Sequence, residues 1–179
     1  IMRPFLLSVG LLNRRKNQKM LIRAFRQRLW KTHDLVIVGK SAWWGKEILQ
    51  LVGKDPSIHY LGPVSDQALL HLYSAAECLA FPSIDEGFGF PLLEAMACGT
   101  PVIATRCSSI PEVVGNAGLL VKPGSVKRFA NALETLLFDK RLHEMFRKRG
   151  FARVQKFRWK ETARKTLAVY RRVMNHSPS

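Results

Sequence analysis

The feature that most constrains this fold is an alternation that runs the length of the chain. Short, predominantly apolar runs, most of them stopped by glycine or proline, alternate with longer amphipathic stretches. Phe5-Leu6-Leu7-Ser8-Val9 stops at Gly10, and Leu35-Val36-Ile37-Val38 stops at Gly39. Ile58-His59-Tyr60-Leu61 stops at Gly62-Pro63, and Cys78-Leu79-Ala80-Phe81 stops at Pro82. Pro101-Val102-Ile103-Ala104 and Gly118-Leu119-Leu120-Val121 are further runs of this kind. A strand that is apolar on both faces belongs in a parallel sheet covered on both sides. The intervening stretches 17–30, 43–52, 66–76 and 89–98 carry apolar residues near helical spacing, as Met20, Leu21, Ala24, Phe25 and Leu29 do in the first. Helices are also expected over 126–138, 140–149 and 160–174, and Asp66 stands where it could cap the helix 66–76. Strand–helix alternation predicts a doubly wound, Rossmann-like α/β fold with a parallel sheet of about six strands and helices on both faces. Ligands of such folds lie outside the carboxyl ends of the strands, which directs attention to segments 10–17, 39–44, 62–66 and 82–89.

With 179 residues the chain can build one domain with a sizeable core, and no linker divides it. No apolar run approaches the ~20 residues needed to span a bilayer. The amino terminus lacks the charged, apolar and small-residue regions of a signal peptide and enters a strand at once, as if the chain had been cut just before it. Cys78, Cys98 and Cys107 show neither metal spacing nor a disulfide framework, and read as thiols in a reducing compartment. The charge is unusual. There are 29 Lys and Arg against 13 Asp and Glu, a formal net charge of +16. Such an excess favours anionic partners: nucleotides, nucleic acid, phospholipid or a pyrophosphate-linked acceptor.

Two segments carry the chemistry. In Gly10-Leu11-Leu12-Asn13-Arg14-Arg15-Lys16-Asn17, a glycine ends a strand and cations stand just before a helix. Helix-start amides with Arg and Lys suit phosphate, although a solvated basic loop would read the same way. In the second, Glu86-Gly87-Phe88-Gly89 precedes the helix that holds Glu94 among Leu92, Leu93, Ala95, Met96 and Ala97. A carboxylate in that company is costly unless satisfied. The vicinal hydroxyls of a ribose would do so, as would an Arg or the helix dipole.

The Glu86-to-Glu94 segment resembles the E-x7-E signature of family 4 retaining glycosyltransferases, which have the GT-B architecture. Other segments match in the family's order: Ser8-Val9-Gly10 with Arg15-Lys16-Asn17, Leu61-Gly62-Pro63-Val64-Ser65-Asp66, the run from Glu94 to Ala104, Ser109-Ile110-Pro111-Glu112-Val113-Val114-Gly115, and Gly118-Leu119-Leu120-Val121. The resemblance covers nearly the whole chain. It implies the carboxyl-terminal, donor-binding half of a GT-B enzyme, residues 1–179 forming one domain, with the amino-terminal acceptor domain absent from this sequence. It implies a mannosyltransferase-like enzyme of polysaccharide or lipopolysaccharide synthesis, using a GDP-sugar or UDP-sugar and neither cofactor nor metal. By this resemblance Arg15 and Lys16 would neutralise the donor pyrophosphate, and Glu86 would contact the transferred sugar. Amides around Phe88 and Gly89 would reach its hydroxyls, Glu94 would hold the ribose, and Val64 would meet the base. Gly10, Gly87 and Leu92 complete the expected donor-binding set. Many members carry Arg directly after the first-strand glycine. Leu11 stands there in this chain, so Arg15 is expected to take over part of that charge.

Further expectations concern the remainder. Trp43-Trp44 would pack or stack on a base, and segment 155–179 would form a helix packing toward the partner domain. The basic carboxyl-terminal helices would be a solvated face or would meet anionic lipid or a lipid-linked acceptor, giving a cytoplasmic protein at the inner membrane face. The histidines form no evident ligand set. Competing readings are a non-catalytic nucleotide-binding module and a nucleic-acid-binding domain. The second would require aromatics interleaved with the basic residues, and in the carboxyl-terminal half only Trp159 fits.

Overall fold

The computed structural model describes residues 3–42, 45–53 and 55–175, so the expectations for Trp43-Trp44 and for the last residues of the chain lie outside the described residues. The strands are β1 (Phe5–Val9), β2 (Asp34–Val38), β3 (Ile58–Gly62), β4 (Cys78–Phe81), β5 (Val102–Thr105) and β6 (Leu119–Val121). The helices are α1 (Gln18–Arg28), α2 (Gly45–Val52), α3 (Asp66–Ala75), α4 (Phe90–Ala97), α5 (Ile110–Val114), α6 (Val126–Phe138), α7 (Lys140–Val154) and α8 (Trp159–Met174). The strands form one six-stranded sheet in the order β3-β2-β1-β4-β5-β6, and every pairing is parallel. This is the doubly wound arrangement expected from the alternation of runs. The order reverses between β1 and β4, and a crevice opens at such a reversal.

The continuous apolar strands serve both faces. Leu6, Leu35, Ile37, Ala80 and Ile103 point into a core closed by Leu21 and Phe25 of α1, Ile48 of α2 and Phe129 and Leu133 of α6. Their neighbours Leu7, Val36, Leu79, Phe81, Val102 and Ala104 point into a second core under Tyr73 of α3, Leu92 and Met96 of α4 and Val113 of α5. Each fully buried large apolar side chain contributes about 1.5–3 kcal/mol of transfer free energy. α8 buries none of its residues. No helix among the described residues is long and apolar enough to cross a membrane.

Two local expectations change. Asp66 does not cap α3. The chain is extended at Ser65, whose hydroxyl accepts from the Ala68 amide, and Asp66 is the first helical residue. An N-cap must itself be non-helical, and the extended run through Pro63 passes that place to Ser65. α7 also runs beyond 149 to Val154, because Gly150 lets it lie against Met96 of α4.

The end of β1 approaches the end of β2 very closely. Gly39 has φ +141°, and a Cβ there would stand 2.1 Å from the Gly10 carbonyl oxygen. The obstacle is backbone, which cannot swing aside as a side chain can. Gly39→Ala is expected to cost about 2 kcal/mol or more. That loss corresponds to a fall in melting temperature of roughly 4–8 °C for a domain of this size. A thermal melt followed by circular dichroism tests this, and an unchanged midpoint would show that the two strand ends part freely.

Candidate functional site

The β1–α1 loop and the β4–α4 loop meet above the reversal between β1 and β4, and they are stitched together. The Ile84 amide donates to the Arg15 carbonyl at 2.9 Å, and Asn17 Nδ2 donates to the Pro82 carbonyl at 3.3 Å. Asn17 adopts a left-handed conformation, φ +55°, and turns the chain into α1. Asn13 Oδ1 accepts the Lys16 amide at 2.9 Å and shapes the loop before it.

At the centre of the seam lies Glu86, whose side chain is only 5% exposed. Lys16 Nζ donates to its Oε1 at 2.6 Å, and Ser83 Oγ donates to the same oxygen at 2.6 Å. Arg15 Nη1 donates to Oε2 at 3.1 Å and to the Asp85 carbonyl at 3.0 Å. Lys16 Nζ also stands 4.5 Å from the centre of the Phe81 ring. Arg15, Lys16 and Glu86, singled out in the sequence, are therefore brought together as one cluster, with Ser83 added.

The segment from Glu86 into α4 presents backbone donors. Gly89 has φ +99° and reverses the chain at the helix start, with Pro91 in the first turn. The amides of Gly87, Phe88, Gly89 and Phe90 find no acceptor among the described residues. Ser109 Oγ holds the loop from the other side, donating to the Glu86 and Phe88 carbonyls at 3.0 Å each. A turn of exposed amides at a helix start attracts anions and hydroxyl oxygens. Leu92 does not join it, because its side chain is fully buried and its amide donates to Gly89.

Glu94 stands apart from this cluster. The sequence suggested it as the buried, costly carboxylate, but the structure assigns that condition to Glu86 and leaves Glu94 exposed. The reason is geometric. Leu92, Ala95 and Met96 beside Glu94 in sequence are buried in the second core, whereas Glu94 and the exposed Ala97 face a cleft of about 310 Å³ between α3 and α4. Its partner is neither an Arg nor the helix dipole alone. Tyr73 Oη donates to Glu94 Oε2 at 2.7 Å. Val64 lies half-buried before α3, packed against the second core. Gly10 ends β1, its amide bonded to the Val38 carbonyl at 2.9 Å.

Burial pushes the Cys78 thiol up, and mainly burial raises Cys98 and Cys107, so none is prepared as a thiolate. His59 and Arg3 hold buried Asp34 at the start of β2, the opposite end of the sheet from the seam. No group of three or more His, Cys, Asp or Glu among the described residues could hold a metal ion.

Ser83, Tyr73 and Ser109 were not foreseen from the sequence. Ser83 lies only three residues before Glu86 and could have been found by asking what satisfies a buried carboxylate. Tyr73 and Ser109 come from elements distant in sequence; Ser109 opens one of the matching segments, but nothing local marks either as a partner of these loops.

An open parallel sheet with helices on both faces and a cationic seam at its switch point defines a doubly wound α/β domain. The family profile "Glycosyl transferases group 1" matches residues 2–153. The chain belongs to that family. It is 35% identical over 173 residues to O-antigen chain mannosyltransferase B of Escherichia coli, an alignment covering 93% of this chain and 45% of that protein. Its fold superposes on sucrose-phosphate synthase of Thermosynechococcus elongatus with TM-score 0.84 and 33% identity, covering 98% of this chain and 47% of the other. The Anabaena protein HepE, in complex with UDP and glucose, superposes with TM-score 0.82 and 25% identity over 94% of this chain and 48% of its own. The chain thus spans less than half the length of each of these proteins.

The Lys16–Glu86 pair is shielded enough to be measured. A double-mutant cycle of Lys16→Met and Glu86→Gln, read by urea unfolding, is expected to give a coupling energy on the order of 1–3 kcal/mol. Additive effects would show that the pair contributes nothing beyond its separate packing.

Proposed function

We propose that this chain is the donor-binding half of a retaining, family 4 glycosyltransferase of GT-B architecture. With an amino-terminal acceptor domain, it transfers a hexose from a nucleoside diphosphate sugar to a glycan or lipid-linked acceptor. The observation that carries this reading is the convergence of Arg15, Lys16 and Glu86 at the switch point, beside the free amides that open α4.

In this mechanism the donor pyrophosphate lies over the seam. Arg15 and Lys16 now serve Glu86, and they turn part of their hydrogen-bonding capacity to the phosphates. As the glycosidic bond breaks, negative charge grows on the departing diphosphate, and two fixed cations in a partly dry site stabilise it. Glu86 and the Phe88 and Gly89 amides hold the sugar hydroxyls, with Gly87 allowing close approach. Glu94 accepts from the ribose hydroxyls, and Val64 meets the base through its backbone. Arg15 compensates for Leu11 at the position where many relatives of this kind carry Arg. Both oxygens of Glu86 already accept from cations, so it is a poor nucleophile, which favours front-face departure and attack over a covalent sugar–enzyme intermediate. No metal is assigned, since Arg15 and Lys16 supply the positive charge.

The name of the Escherichia coli relative supports a mannosyl donor, with GDP as the carrier we favour. The UDP and glucose held by HepE keep UDP-sugars as the alternative. The basic exposed face of α8 suits packing on the acceptor domain or contact with anionic lipid at the inner membrane face.

Calorimetric titration tests the donor site. GDP or UDP is expected to bind with a Kd in the micromolar to millimolar range, and Glu94→Ala to weaken it by about tenfold, the worth of a hydrogen bond to a charged group. Absence of binding by both nucleotides at millimolar concentration would overturn the assignment. A radiolabelled-sugar transfer assay tests the division of labour. The chain without an acceptor domain should give no product above background, and measurable turnover by it alone would refute the half-enzyme reading.

A further inference from the structure

Resting on the reading of Glu94 as the ribose-holding carboxylate, we propose that Tyr73 is a positioning residue that aims Glu94 at the donor's vicinal diol. Glu94 is exposed on α4, and an unrestrained glutamate there would spread over many rotamers. Tyr73 is the opposite kind of side chain. It is only 2% exposed, and its ring is held in the second core. Its own carbonyl accepts from Thr100 Oγ1, which ties the last turn of α3 to the chain entering β5. The phenol is therefore a fixed donor, and its 2.7 Å bond to Glu94 Oε2 transmits that fixity to a mobile carboxylate. Burial first, and the neighbouring Glu94 next, push the phenol's pKa up, so it keeps its proton and stays a donor at neutral pH.

The stoichiometry fits. A carboxylate offers about four lone-pair positions, and Tyr73 uses one of them on Oε2. Oε1 accepts no hydrogen bond among the described residues. Glu94 lines the cleft together with Asp66, Leu69, Leu70, Ala97 and Cys98. Apart from Asp66, itself an acceptor, those walls are apolar and offer little competition for the carboxylate. A diol is the ligand chemistry that places two parallel donors before one anchored carboxylate. Anchoring Glu94 in advance also removes an ordering cost that donor binding would otherwise bear.

The experiment reads discrimination rather than affinity alone. GDP, UDP and their dideoxyribose analogues, which lack both ribose hydroxyls, are titrated calorimetrically into the wild type, Tyr73→Phe, Glu94→Gln and the double variant. Melting temperatures are recorded in parallel. The wild type should favour the ribose form by about tenfold or more, as expected for hydrogen bonds to a charged group. Tyr73→Phe should remove most of that preference while leaving affinity for the dideoxy form unchanged. Adding Tyr73→Phe to Glu94→Gln should change discrimination no further, because the phenol acts through the carboxylate. A Tyr73→Phe protein that keeps the wild-type preference, whatever its melting temperature, overturns the positioning role while leaving the Glu94 assignment in place. A wild type that binds ribose and dideoxyribose forms equally overturns the Glu94 assignment, and the role of Tyr73 falls with it.

Discussion

The interaction on which the rest depends is the burial of the Glu86 carboxylate against two cations. An ionised group cannot be taken from water without compensation, and removing its partners costs far more than the pair yields over an apolar replacement. Lys16, Arg15 and Ser83 provide that compensation from two different loops. The need to satisfy one carboxylate therefore joins the β1–α1 loop to the β4–α4 loop. These are the loops that a doubly wound sheet brings to its switch point. The backbone bond from Ile84 to Arg15 and the Asn17 bond to Pro82 reinforce the same seam. What results is a preorganised cationic surface, held in place before any ligand arrives.

The two glutamates of the E-x7-E segment occupy opposite physical states, which their spacing alone does not reveal. Between them lies Gly89, whose left-handed conformation turns the chain from the seam into α4. Glu86 ends inside the seam, and Glu94 ends one turn along the helix, facing a different cleft beside Tyr73. One carboxylate is locked by charge and the other is steered by a single phenol. That difference suits a division in which the sugar and phosphates are handled at the seam and the nucleoside is held beyond it. The same bend leaves the Gly87 to Phe90 amides, between the two carboxylates, without an acceptor among the described residues.

The architecture was legible in the sequence because it rests on local rules. Runs such as Leu35-Val36-Ile37-Val38 are short, rich in β-branched residues and apolar on both faces, which suits a covered strand. Gly10 and Gly39 mark strand ends where the backbone must turn sharply. Cations placed after a strand-ending glycine, and glutamates flanking Gly87 and Gly89, marked the two loops that meet at the switch point before any contact was known. The sequence by itself thus determined the element order, the sheet class, the glycosyl transferase group 1 family and the loops that meet at the switch point. Only the tertiary structure decided which carboxylate is buried, that Arg15 and Lys16 are paired through Glu86, that Ser65 rather than Asp66 caps α3, and that Tyr73 holds Glu94. The physical reason is that periodicity records which face of an element is apolar. The electrostatic state of a side chain depends on groups far away in sequence, which approach only when the sheet has closed around its switch point.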